Sequence, residues 1–259
     1  MPRVDVVSRV RILNAEFDAF TREQTVDHLI TAVRNKQRGW LCTVNVAILM
    51  MMRDNPALQH FIERAKWVVA DGQPLIWAAP IFRGRLPQRV TGIELIDALV
   101  ERAEKEGYRI YLLGAKQDIV DIVAVRLKQR YRDVNICGAT DGYFTLEEAT
   151  LRADAIRKSG AHILFVGMGV PNQEKFIEEQ WERLGVNVAI GVGGSFDVIA
   201  GLRKRAPAFI QRIGMEWFFR LVQEPRRMWK RYLTTNTRFL YLISKAAISR
   251  TISIVGLSR

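Results

Sequence analysis

The chain has 259 residues, 49% of them hydrophobic, and a formal net charge of +12; this suits one α/β domain with an appendage better than two full domains. Two cysteines, Cys42 and Cys137, and three histidines, His28, His60 and His162, are too scattered for a disulfide framework or a His-based metal site, so no metal and no cofactor is expected. The opening "MPRVDVVSRVRILNAEFDAF" mixes charges into its apolar residues and does not read as a secretory leader, and "VAILMMM" is far shorter than the roughly 20 residues that cross a bilayer.

In chain order, "GWLCTVNVAILMMM", "AKWVVADG" and the helix-like "TGIELIDALVERAEKEG" set an α/β theme in the first hundred residues. The alternation then becomes regular. "YRIYLLGA" reads as a buried strand, "KQDIVDIVAVRLKQRY" as a helix and "VNICGAT" as a strand; "LEEATLRADAIRKSG" is a helix closed by Gly160. "AHILFVGMG" gives another strand, "PNQEKFIEEQWERLG" a helix closed by Gly185, and "VNVAIGVGG" the last strand. Strands separated by helices of this length pair most simply in parallel, so the predicted class is α/β: a Rossmann-like parallel sheet with crossover helices over residues 1–202, and a basic helical C-terminal appendage over 203–259.

Ligands of open parallel sheets bind beyond the carboxyl ends of the strands. Three such ends carry glycine beside polar residues: Gly114, the loop from Gly167 through Gly169 to Gln173, and "GVGGSFD" at 191–197. Glycine lets backbone amides approach a ligand, and a helix amino end favours a negative group. Pro171 suits a first helical turn, with the amides of Asn172 and Gln173 at its mouth. Ordinary strand-to-helix connections would look the same. "GMGVPN" lacks the third glycine of a dinucleotide fingerprint, which counts against a nucleotide-cofactor oxidoreductase.

The charge excess is local. Residues 201–259 hold 13 Lys or Arg against Glu216 and Glu224, leaving 26 basic and 25 acidic residues before position 201. Trp217, Phe218, Phe219, Trp229 and Tyr232 are interleaved with these arginines, and Pro225 is placed to begin a new helix. On that helix Arg227, Arg231 and Arg238 fall within about 40° of one another at 100° per residue. Rings beside cations suit an anionic membrane surface; alternatively, the aromatics pack on the body and the arginines are solvated. A nucleic-acid-binding protein would also explain the tail, by phosphate contacts and base stacking, but it leaves the glycine-bearing strand ends without a purpose.

Taken in order, "TVNVAILMMM", "VVADGQPLIWA", "PQRVTG", "LLGA", "DGYF", "ILFVGMGVPNQEKFI", "GVGGSFDVIAG" and "RAPAFIQRIGMEWFFRLVQEPRR" resemble the WecG/TagA/CpsF glycosyltransferases over roughly residues 8–240. The resemblance implies an inverting transfer, with no required metal, from a UDP-sugar donor to a polyprenyl-diphosphate-linked saccharide acceptor. It places the enzyme peripherally on the cytoplasmic face of a bacterial inner membrane. Asp71 in "VVADGQP" matches the family's general base, although an Asp-Gly turn is a common inert pairing. Thr43 and Asn45 in "CTVNV" match a Thr-x-Asn pair expected near the sugar or Asp71; the family often has proline between them, where Val44 stands here. Arg89 matches an arginine that offsets charge on the leaving phosphate, with a surface ion pair as the alternative. Gln173, Asp197 and Tyr143 match donor-pocket positions, and the Gly169 loop belongs with them. Arg220, Arg227 and a neighbour at Lys230 or Arg231 match cations that the appendage brings to the departing diphosphate. N-acetylmannosamine, its uronic acid and glucose all stand as donors by this resemblance, and self-association through the surface the tail covers remains open.

Overall fold

The structure, a computed structural model, describes residues 8–256, apart from the side chains of Leu146, Ala208, Arg227, Met228, Arg231 and residues 251–256. The described chain opens with a hairpin of β1 (Arg9–Ile12) and β2 (Ala15–Asp18). Val10, Ile12, Ala15 and Phe17 point inward, while Arg9, Arg11 and Glu16 face out. Helix α1 (Arg22–Arg34) begins in a capping box, with the Gln24 N–H donating to Thr21 Oγ1 and the Thr21 N–H to Gln24 Oε1.

Strands and helices then alternate: β3 (Gly39–Val44), α2 (Val46–Asp54), α3 (Pro56–Glu63), β4 (Trp67–Ala70), α4 (Gln73–Ala78), α5 (Gly92–Glu106), β5 (Arg109–Gly114), α6 (Gln117–Arg130), β6 (Asn135–Thr140), α7 (Leu146–Ser159), β7 (Ile163–Gly167), α8 (Asn172–Leu184), β8 (Val188–Gly191) and α9 (Ser195–Ile199). The strands form one parallel sheet in the order β4-β3-β8-β7-β5-β6. This is the predicted α/β parallel class. Gly160 and Gly185 close α7 and α8 in the left-handed conformation, as their positions after the last periodic residue require. The run "GWLCTVNVAILMMM" divides at Asn45, between strand and helix.

Side-chain alternation along each strand feeds two cores, one per face. Leu164 and Val166 of β7 join Cys42, Val44 and Ala189 beneath α2, α3, α7 and α8. Ile163 and Phe165 join Leu41, Val69, Ile190 and Leu112 beneath α1, α5, α6 and α9. β4 ends the sheet on one side, and the hairpin lies along it: the Val68 N–H donates to Asp18 Oδ2 at 2.8 Å, satisfying one of the edge's backbone donors.

After α9 the chain leaves the sheet for α10 (Ala208–Arg212), α11 (Glu216–Gln223) and α12 (Pro225–Gly256). Pro225 starts α12, as its restricted φ favours. The long helix lies along α2, with Phe239 buried in the core and Arg238 paired with Asp54 at its edge. Arg238, one of three arginines aligned on this helix by periodicity, is thus engaged with the body.

Candidate active site

Asp71 is the first residue beyond β4. Its N–H donates to Val44 O at 2.8 Å, and the Val90 N–H donates to Ala70 O, so the backbone on both sides of the carboxylate is tied to neighbouring chain. A cavity of about 130 Å³ opens over it, lined among others by Asn45, Gln73, Arg89, Glu216, Trp217 and Arg220. Asp71 reaches solvent only partly. Burial pushes its pKa up to about 6; the guanidinium groups of Arg220 and Arg89 oppose that rise, and the carboxylates of Glu216 and Glu94 add to it. A carboxylate in this condition accepts a proton readily near neutrality, which suits a general base.

Arg89 precedes α5 and is held by the tail. Its Nη1 donates to Glu216 Oε2 of α11 and its Nη2 to Gln211 Oε1 of α10 at 3.2 Å. The pair is largely buried, with 15% and 14% of the two side chains exposed. Burial works against the Arg89 charge, but Glu216, with Glu94 and Asp71, outweighs it and holds the pKa above the usual value. The other carboxylate oxygen of Glu216 lies 3.6 Å from Arg220 Nη2. One carboxylate therefore gathers two guanidinium groups beside Asp71.

Asn45 and Thr43 separate. Asn45 caps α2, its Oδ1 accepting the Ile48 N–H at 3.1 Å, and its side chain lines the Asp71 cavity. Thr43 is buried in β3 and donates through Oγ1 to Gly191 O at 3.3 Å, binding β3 to the end of β8 behind the cavity.

Gln173 is buried at the start of α8, lying across Gly191 so closely that a Cβ there would meet its Nε2 at 2.5 Å. Its Oε1 accepts the Gly193 N–H at 3.0 Å and its Nε2 donates to Glu174 Oε1 at 2.8 Å. Glu174 is itself buried, with Oε2 unpaired, and burial raises its pKa to about 7 against the hydrogen bonds from Gln173 and the backbone. Gly169 adopts φ +78, with open space where a side chain would stand. Asp197 of α9 pairs with Arg203, which also reaches Glu224. Tyr143 is 73% exposed beyond β6. Arg227 and Arg231 lie on α12, and their side chains fall outside the described part of the molecule.

The expected residues thus fall into groups strung along one rim. Asp71, Asn45, Arg89 and Arg220 share a cavity over β4 and β3; Thr43 and Gln173 brace the β8 end; Asp197 follows on α9, after β8, and Gly169 and Tyr143 on the loops after β7 and β6. Reading the sequence did not single out Gln73 or Glu216 and gave Trp217 no place in the site, though all three line the cavity. Glu216 carried a signal, since it is one of two acids among 13 basic residues.

A parallel sheet whose carboxyl rim holds a raised-pKa carboxylate, two guanidinium groups and open glycine loops is an arrangement suited to a group-transfer enzyme. The chain belongs to the WecG/TagA/CpsF family of glycosyl transferases, whose model matches residues 10–253. It is 32% identical over 241 residues, covering 92% of this chain and 93% of the relative, to the N-acetylglucosaminyldiphosphoundecaprenol N-acetyl-beta-D-mannosaminyltransferase of Staphylococcus aureus (strain MW2).

Proposed function

We propose that the protein transfers a hexosyl group, N-acetylmannosaminyl foremost, from a UDP-sugar to a saccharide carried on a polyprenyl diphosphate, with inversion. The observation that carries this reading is the meeting of Asp71, Arg89 and Arg220 in one cavity at the end of the sheet. Asp71 takes the proton of the acceptor hydroxyl as its oxygen attacks the anomeric carbon. The bond from that carbon to the phosphate oxygen breaks on the opposite face, and UDP leaves. A single displacement inverts the centre.

The leaving diphosphate gains negative charge as that bond breaks. Arg89 and Arg220 supply fixed positive charge where it forms, the service a divalent cation gives in other sites. From β4 to β7 is three strand spacings, about 14 Å in all. A nucleotide-linked sugar laid along the rim would run from Asp71 across Gly191 toward the Gly169 loop, with Tyr143 and Asp197 near its nucleoside end. For the acceptor we take the one in the name of the staphylococcal relative, an N-acetylglucosaminyl diphosphoundecaprenol.

Among the described residues no helix is long and apolar enough to cross a membrane. The tail exposes Phe209, Phe218, Trp229, Leu240 and Tyr241 among its basic residues, a composition suited to the interface of an anionic bilayer. We place the enzyme there, peripherally on the cytoplasmic face. The test is incubation of the full chain with a panel of UDP-sugars and a short lipid-diphosphate N-acetylglucosamine, with the product weighed. Transfer from one UDP-sugar that persists with a chelator present supports the reading; no transfer from any of them, or strict dependence on added metal, overturns it.

A further inference from the structure

Glu216 presents a charge problem. An acid sits inside a cavity that, on the reading above, must accept a diphosphate, and it lies within the cation pair meant to receive that ligand. Its two oxygens are divided between those cations: Oε2 takes the hydrogen bond from Arg89 Nη1, and Oε1 lies 3.6 Å from Arg220 Nη2. Side-chain exposure is 14% for Glu216 and 51% for Arg220, so the carboxylate is enclosed while the second guanidinium remains open on its outer side. A diphosphate offers the same chemistry as this carboxylate, anionic oxygens spaced to bridge two guanidinium groups, but with more charge. Carboxylate and diphosphate in one seat would repel each other strongly in a partly dry cavity.

We infer that Glu216 is an intramolecular stand-in for the leaving diphosphate: it occupies the seat between Arg89 and Arg220 when no donor is bound and gives it up when the donor enters. The inference rests on the UDP-sugar reading. In the empty site the stand-in holds both guanidinium groups aimed at one point, so they need no reordering when the ligand arrives. It also gives way at a cost to affinity, which weakens the hold on UDP after transfer and favours release. Arg89 keeps a second anchor in Gln211 when the exchange occurs.

The electrostatics of Asp71 give an independent readout. The charged groups acting on it are Arg220 and Glu216 from α11, Arg89 from the segment before α5, and Glu94 from α5. Glu216 raises the Asp71 pKa, so removing its charge must lower it, an effect that loss of packing alone would not reproduce.

The experiment is titration calorimetry of the full-length wild type and E216Q with UDP and, separately, with inorganic pyrophosphate, together with the pH profile of kcat/KM. Glutamine keeps an oxygen for Arg89 and loses the charge. The expected result is UDP and pyrophosphate binding about tenfold tighter in E216Q, from removal of a like charge, with the acidic limb of the profile moved to lower pH. Equal or weaker binding of both ligands by E216Q overturns the stand-in. If neither protein binds UDP in preference to pyrophosphate but E216Q binds pyrophosphate more tightly, the seat stands and the UDP reading falls. If neither protein binds either ligand, both fall. A variant that merely misfolds loses turnover at every pH and shifts no limb; Glu216→Ala, which also removes the charge, then serves in its place, with the same tightening of both ligands and the same limb shift expected.

Discussion

The side-chain oxygen of Gln173 accepts the backbone N–H of Gly193 at 3.0 Å, so the first turn of α8 sets the shape of the loop that follows β8. The same amide's nitrogen satisfies one oxygen of the buried Glu174. Gln173 is thus a brace between the start of α8 and the loop after β8. Gln173→Ala should remove both bonds and leave buried polar groups unpaired, at about 2–4 kcal/mol. Denaturant unfolding measures this; a loss under about 0.5 kcal/mol would contradict the brace.

Asp71 links activity to pH. Its pKa of about 6 predicts that turnover falls with a single-proton slope as pH drops below that value. Asp71→Asn should reduce kcat by about 10²–10⁴ or more while UDP still binds. Retention of more than a tenth of wild-type kcat would remove Asp71 as the base.

The same shift has a stability consequence of opposite sense. A carboxyl whose folded pKa lies above the ordinary value favours the folded state fully only below about 3.9, and that contribution is lost as pH rises through 6. Asp71→Asn should therefore be more stable than wild type at pH 8, by up to about 3 kcal/mol, and equal to it near pH 3.5. Urea midpoints at the two pH values decide the matter.

Glu174 obeys the same sign at a different site. Burial raises its pKa to about 7, so its contribution to stability is present below the ordinary glutamate range and lost as pH rises through 7. Glu174→Gln should gain about 1–3 kcal/mol at pH 8 and nothing at pH 4. Thermal melts at both values check it, and a variant destabilised at pH 8 would mean that the hydrogen bonds to the charged form outweigh the cost of its burial.

The docking of α12 should depend on packing far more than on charge. Phe239 is 4% exposed in the core beneath the helix, and Phe239→Ala should cost about 3 kcal/mol with faster amide exchange along α12. The neighbouring Arg238–Asp54 pair is solvent-exposed on both sides, and Arg238→Ala should cost about 1 kcal/mol or less. The reverse order would show that the helix is held by its ion pair.

Much of the sheet could be read from the residues, because β5, β7 and β8 carry buried apolar runs and α7 and α8 end at Gly160 and Gly185. The hairpin at 9–18 was not read as such. Its strands are four residues long, and their outward charges made the segment look merely mixed. Asp71 was recognisable by family resemblance, since an Asp-Gly pair after a strand is chemically mute without its neighbours. The capping role of Asn45 was not legible, because apolar residues continue on both sides of it and hide the boundary between strand and helix. Glu216 could not be placed at all. Its role depends on α11 folding over Arg89, a contact between positions 127 residues apart that no local pattern records.

The place of Asp71 beyond the last strand of the sheet has a further consequence. The six-stranded sheet has no further member on its outer side, and the roof over the carboxylate is furnished by the turn after α10, by α11 and by α12. Those helices touch none of the six strands' hydrogen-bond rungs. A lineage could therefore rebuild the ceiling over Asp71 while the pairing of the sheet beneath it stays untouched.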